Sequence, residues 1–131
     1  MHSIRVMLVD DNKRFQTLLS RYLDLQQDIE VVGKASNGKE AVSMFDELLP
    51  DVVLMDLAMP VMDGVTSMQK IKEAHPAAKV VVLTAHNTID YKEQSKEAEA
   101  DGYVLKSMSS SALISTIKKV ISQPPHQILP D

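Results

Sequence analysis

The stretch Val52-Val53-Leu54-Met55-Asp56 decides the fold of this chain. An unbroken apolar run that stops at a carboxylate reads as a strand buried on both faces, as in a parallel sheet covered by helices. Outward from it the same motif recurs. Ile4-Arg5-Val6-Met7-Leu8-Val9 runs into Asp10 and Asp11, Val80-Val81-Val82-Leu83 into Thr84, and Tyr103-Val104-Leu105 into Lys106. In an open α/β sheet the parallel strands share a C-terminal edge, and ligands bind outside it where the strand order reverses. Three carboxylates, one hydroxyl and one ammonium would therefore converge on one small site.

Between the apolar runs lie helical stripes. Phe15, Leu18, Leu19, Tyr22 and Leu23 follow the first strand at i, i+3, i+4, i+7 and i+8. Glu30–Ala35 is a weaker, more polar second strand, broken by Asn37-Gly38. Ala41, Phe45, Leu48 and Leu49 mark a second helix that Pro50 stops, and Val65, Met68 and Ile71 a third that ends near His75-Pro76. From Thr88 to Glu99 only Ile89, Tyr91 and Ala98 are available for burial, so a helix is expected there from its place in the alternation. Burial supplies most helix stability, so this helix is expected to be weakly packed and mobile. Leu113, Ile114, Ile117, Val120 and Ile121 build the last helix, with serines before it as N-cap candidates. The βαβ alternation predicts right-handed crossovers and helices on both faces of a parallel sheet. The apolar first, third and fourth strands belong at its centre and the polar second at an edge, giving the order 2-1-3-4-5.

The chemistry follows from the strand ends. Asp10, Asp11 and Asp56 bring three negative charges together, which forces one to keep its proton or calls for a cation. Mg²⁺ suits a few carboxylates completed by water and substrate oxygens. Asp56 is the natural nucleophile, since a carboxylate can attack phosphorus and form an acyl phosphate. Thr84 can then donate to one phosphoryl oxygen and Lys106 can pair with another. Each residue alone has a plainer reading: an Asp pair as a helix cap shared with Asn12, a Thr in a turn, a solvated Lys. Their recurrence at four corresponding strand ends favours the joint site.

Composition narrows the classes. The chain has 131 residues, 44% hydrophobic and 24% charged, which suits one globular domain. A formal net charge of -4 and 4% aromatic content argue against direct nucleic-acid binding. There is no cysteine, hence no disulfide or thiolate chemistry. No secretory signal or membrane-length apolar run is evident, so a cytoplasmic location without membrane attachment is expected.

The motifs Val9-Asp10-Asp11-Asn12, Leu54-Met55-Asp56-Leu57-Ala58-Met59-Pro60-Val61-Met62-Asp63-Gly64, Leu83-Thr84-Ala85 and Gly102-Tyr103-Val104-Leu105-Lys106 resemble the receiver domain of bacterial two-component response regulators. The likeness covers roughly residues 4–122. It implies a flavodoxin-like (βα)5 three-layer sandwich over residues 1–122, with 123–131 a Pro-rich linker remnant. It implies that Asp56 accepts a phosphoryl group from the phosphohistidine of a sensor histidine kinase, the chain catalysing only its own phosphorylation and dephosphorylation. Mg²⁺, or Mn²⁺ in its place, would be held by Asp11 directly, Asp10 through water, Asp56, and the Ala58 backbone carbonyl. Thr84 and Tyr103 would form the switch pair, and Ala58 and His86 would modulate acyl-phosphate lifetime. The signal would leave through the face of the fourth helix, fifth strand and last helix, which could also form a homodimer.

The stretch Asp28–Ala41 and Lys106-Ser107 resemble the NarL/LuxR-type branch, whose output is a DNA-binding helix-turn-helix domain. That implies transcriptional control by a longer protein. Ser107 stands where most receivers have Pro. A cis bond there would cost about 2.5–4 kcal/mol, leaving trans geometry or greater mobility for the Lys106 loop. Glu99 stands where the family often has Gly.

Other readings stay open at this point. A receiver-like adaptor would act by protein contact without phosphate. A flavin-binding flavodoxin would need a Ser/Thr/Gly-rich loop where Asp11-Asn12-Lys13-Arg14 stands. An aspartyl phosphatase would need a second acid where Ala58 stands.

Overall fold

The computed structural model describes residues 3–57, 59, 62–85, 100–107 and 109–123. Among them β1 (Ile4–Val9), α1 (Lys13–Asp24), β2 (Ile29–Ala35), α2 (Gly38–Leu48), β3 (Val52–Met55), α3 (Gly64–Ala74), β4 (Val80–Thr84), β5 (Gly102–Leu105) and α4 (Ser110–Ser122) follow in order. The helix expected over 88–99, Ala58, His86, and residues 124–131 of the tail lie outside the described residues.

All strand pairs are parallel and the order is β2-β1-β3-β4-β5, as the apolar pattern predicts. The polar strand β2 takes an edge, with an irregularity opposite Val6/Met7 that skips Val32. Successive strand side chains alternate between faces. Met7, Val9, Val53, Met55, Val80 and Val82 therefore pack on one face with Ala41, Phe45, Met68 and Ile71 of α2 and α3. Val6, Leu8, Val52, Leu54, Val81, Leu83 and Val104 pack on the other with Leu23, Leu113, Ile117 and Val120 of α1 and α4. These two cores make the three layers.

Each of the described helices begins on a side chain that accepts from the orphaned backbone amides of its first turn. Asn12 Oδ1 accepts from Phe15 N at 3.0 Å, Asn37 Oδ1 from Glu40 N at 2.9 Å, and Asp63 Oδ1 from Thr66 N at 2.8 Å. Ser109 Oγ accepts from Ala112 N at 3.2 Å, which selects one of the candidate serines.

Two apolar positions of the expected stripes do not join the core. Leu18 and Leu49 are exposed. Leu18 lies on the outer side of α1, whose buried positions are Gln16, Ser20 and Leu23. Leu49 ends α2 in the left-handed region at φ 45° and ψ 59°. The Arg5 guanidinium crosses from β1 and donates to the carbonyls of Leu48 at 2.8 Å and Leu49 at 3.0 Å. A buried ion pair holds the opposite end of the sheet. Lys72 Nζ lies 2.8 Å from Asp101 Oδ2 and 3.0 Å from Ala78 O, and the same carboxylate oxygen accepts from Val80 N.

Candidate phosphoacceptor site

Strand pairing brings the site together. Asp56 N donates to Val9 O at 2.9 Å, and Asp10 N to Ala35 O at 3.1 Å, so both aspartates leave the sheet at one edge. Thr84 pairs with Leu105 in the β4–β5 register, and Lys106 N donates to Thr84 O at 2.7 Å. Thr84 and Lys106 therefore stand at that same C-terminal edge.

Alternation divides these residues between the two faces. Asp10, Asp56 and Lys106 continue the parity of Leu8, Leu54 and Val104, which face α1 and α4. Lys106 Nζ accordingly lies 2.5 Å from Asp10 Oδ2 and 3.7 Å from Asp56 Oδ2. Thr84 continues the parity of Val80 and Val82, which face α2 and α3. Tyr103 pairs with Val82 and packs against the same core. The expected switch pair thus shares one face of the sheet, opposite the lysine. Thr84 is fully buried. Burial also raises the Tyr103 hydroxyl above the ordinary tyrosine range, because its anion would be desolvated.

One oxygen from each of Asp10, Asp11 and Asp56 lies within 4.8 Å of the others. Asp10 and Asp56 are buried and Asp11 is exposed, so the cluster opens to solvent on the Asp11 side. An all-carboxylate set with an open side suits a hard divalent cation that keeps part of its water shell. Asp10 Oδ1 meanwhile accepts from Asn12 N at 2.8 Å, which fixes the carboxylate over the start of α1.

Gly64 sets the path of the chain after Asp56. A Cβ there would sit 2.6 Å from Leu57 Cα and closer still to the Asp56 carbonyl oxygen. The start of α3 can approach the backbone of Asp56 and Leu57 only because this position has no side chain. Neither Ala58 nor His86 falls among the described residues. No described residue is joined by a cis peptide bond, so Lys106-Ser107 is trans.

Two residues near the site were not singled out by sequence. The Phe15 ring lies under Lys106, its centroid 4.2 Å from Nζ. Gln16 Nε2 donates to Ala35 O at 2.9 Å and Asp10 O at 3.3 Å, tying α1 to the ends of β1 and β2. Phe15 carried only a core signal, its place on the apolar stripe. Gln16 carried none, because its role depends on carbonyls brought close by strand pairing.

Residues 6–118 match the response regulator receiver domain family. The chain belongs to that family. Response regulator protein VraR of Staphylococcus epidermidis is 41% identical over 119 residues, covering 89% of this chain and 56% of the relative. The receiver thus spans little more than half the length of such relatives. A LuxR-family two-component response regulator from Aurantimonas sp. SI85-9A1 superposes with a TM-score of 0.89 at 29% identity, over 94% of this chain and 88% of that one. A LuxR-family DNA-binding response regulator from Staphylococcus aureus gives 0.86 at 28%, over 91% and 99%. These likenesses place the receiver with the LuxR/NarL-type regulators, as its motifs imply.

Proposed function

We propose that this receiver takes a phosphoryl group on Asp56 from the phosphohistidine of a sensor histidine kinase, in a reaction that needs Mg²⁺. The carrying observation is the meeting of three carboxylates with the Lys106 ammonium at one sheet edge. An Asp56 oxygen attacks phosphorus as the bond from phosphorus to the imidazole nitrogen breaks, and the imidazole leaves to be protonated by solvent. Asp10, Asp11 and Asp56 would hold the cation, with the Ala58 carbonyl as the family's further ligand. When bound, Mg²⁺ neutralises charge on the transferring phosphoryl oxygens.

Lys106 supplies the second positive charge, close enough to Asp56 to follow the phosphoryl group once it arrives. Thr84 donates a hydroxyl from the other face, and Tyr103 follows it. That movement biases a two-state surface made by the helix expected over 88–99 together with β5 and α4. The output is transcriptional, through a helix-turn-helix domain in a longer protein, and dimerisation through this surface would deliver it. The half-length match to VraR and the LuxR-type neighbours support this part.

Acetyl phosphate with Mg²⁺ tests the reading. Intact-mass measurement should show the gain of one phosphoryl group, lost with EDTA and absent in Asp56→Asn. Unchanged labelling of Asp56→Asn on the same peptide would remove Asp56 as the acceptor.

A further inference from the structure

Lys106 reaches the acidic pocket across one aromatic ring. Its ammonium lies 4.2 Å from the Phe15 centroid and only 2.5 Å from Asp10, against 3.7 Å from Asp56. The ring is held in place from the same carboxylate. Asp10 Oδ1 accepts from Asn12 N, and Asn12 Oδ1 accepts from Phe15 N. Asp10, the α1 cap, the ring and the ammonium thus form a closed loop of contacts. The Lys106 side chain is 16% exposed, so its contact with the ring is largely removed from solvent, where a cation over a π-face is held most firmly.

We propose that Phe15 is a positioning residue: its face keeps Lys106 on Asp10 and so sets how readily the pocket admits a divalent cation. The inference rests on the metal-dependent reading of the pocket. An entering cation and the ammonium draw on the same two carboxylates and repel each other. Any contact that holds the ammonium in place therefore weakens metal binding. A cavity of about 60 Å³ beside the ring, lined by Leu19, Leu83 and Leu113 and by Ser109 and Ser110, leaves the lysine room to withdraw toward a partly polar wall. Phe15 acts as a brake on metal entry, and its removal has the unusual sign of strengthening binding.

Calorimetric titration of Mg²⁺ alone into the whole chain tests this, with thermal melts to establish that each variant is folded. Phe15→Leu should bind about three- to tenfold more tightly than wild type, the range a partly desolvated cation–π contact supports. Phe15→Trp, which keeps a π-face, should not tighten. Lys106→Met should bind more tightly still, and Phe15→Leu added to it should change nothing further. If Phe15→Leu melts, Phe15→Met replaces it with the same expectation.

Unchanged or weaker binding by a folded Phe15→Leu would overturn the inference. So would an equal shift in the Lys106→Met background, which would mean that Phe15 acts by packing. If wild type binds and Lys106→Met is no tighter, the ammonium does not compete and the inference falls. If neither takes up Mg²⁺, the metal-site reading fails and the inference with it.

Discussion

At the scale of single residues, Tyr103 and Lys72 show how burial turns a polar group into a commitment. The Tyr103 hydroxyl is raised above its ordinary value by desolvation. The folded state therefore favours the neutral phenol, and the resulting stability is complete below the unfolded tyrosine value of about 10. It is lost as pH rises through the higher folded value. Ultraviolet difference titration should show one tyrosine ionising late, and Tyr103→Phe should abolish that step and soften alkaline unfolding. Lys72 and Asp101 are both nearly buried and paired at 2.8 Å. Lys72→Met leaves Asp101 charged among apolar neighbours and should cost about 3 kcal/mol, read from the urea midpoint. An unchanged midpoint would mean that the pair is not maintained in solution. Tyr103 was legible as part of an apolar strand run and is half-buried, whereas nothing in the sequence marked Lys72 as buried. A lysine in a helix reads as solvated until the fold delivers its partner from 29 residues away.

At the scale of elements, the helices show which sequence signals survive packing. The 3.6-residue period of α2, α3 and α4 reads correctly because their buried positions are mostly apolar: Ala41 and Phe45, Met68 and Ile71, Leu113, Ile117 and Val120. Helix α1 departs from this. Its innermost row is Gln16, Ser20 and Leu23, so the apolar stripe is rotated and Leu18 faces solvent. The reason is local: backbone carbonyls at the ends of β1 and β2 need a donor there, and Gln16 supplies it. At the other end of α2, Leu49 adopts left-handed geometry at φ 45° while exposed. Only glycine adopts that region without steric cost. Leu49→Gly loses little burial, and the strain it relieves exceeds glycine's extra chain entropy. The change should raise stability by about 0.5 kcal/mol, visible as a higher melting temperature. A lower melting temperature would show that the Leu49 side chain packs more than its exposure suggests.

At the scale of the whole molecule, the sheet gathers charges that would otherwise avoid each other. Asp10 and Asp56 share Lys106, whereas Asp11 stands exposed beside them. Without metal, removing the Asp11 charge relieves repulsion. Asp11→Asn should therefore melt at a higher temperature than wild type in EDTA. With Mg²⁺ at about 100 times its dissociation constant, wild type should gain about 2.7 kcal/mol, because the ion binds only the assembled site. Asp11→Asn should gain much less. Equal metal stabilisation of the two proteins would place the ion elsewhere.

The sequence by itself determined the strands, their central or edge places, their parallel order and the residues at their C-terminal ends. These follow from apolar runs, turn residues and chain connectivity, which are local or nearly so. Only the tertiary structure decided which face of the sheet each site residue takes, that Lys106 rests on Asp10 over Phe15, and that Gln16 and Lys72 are buried for the partners they meet. Those outcomes depend on strand register and on distances between segments far apart along the chain. A one-residue change of parity would move a side chain to the opposite face, and no composition or motif records that parity until neighbouring strands are paired.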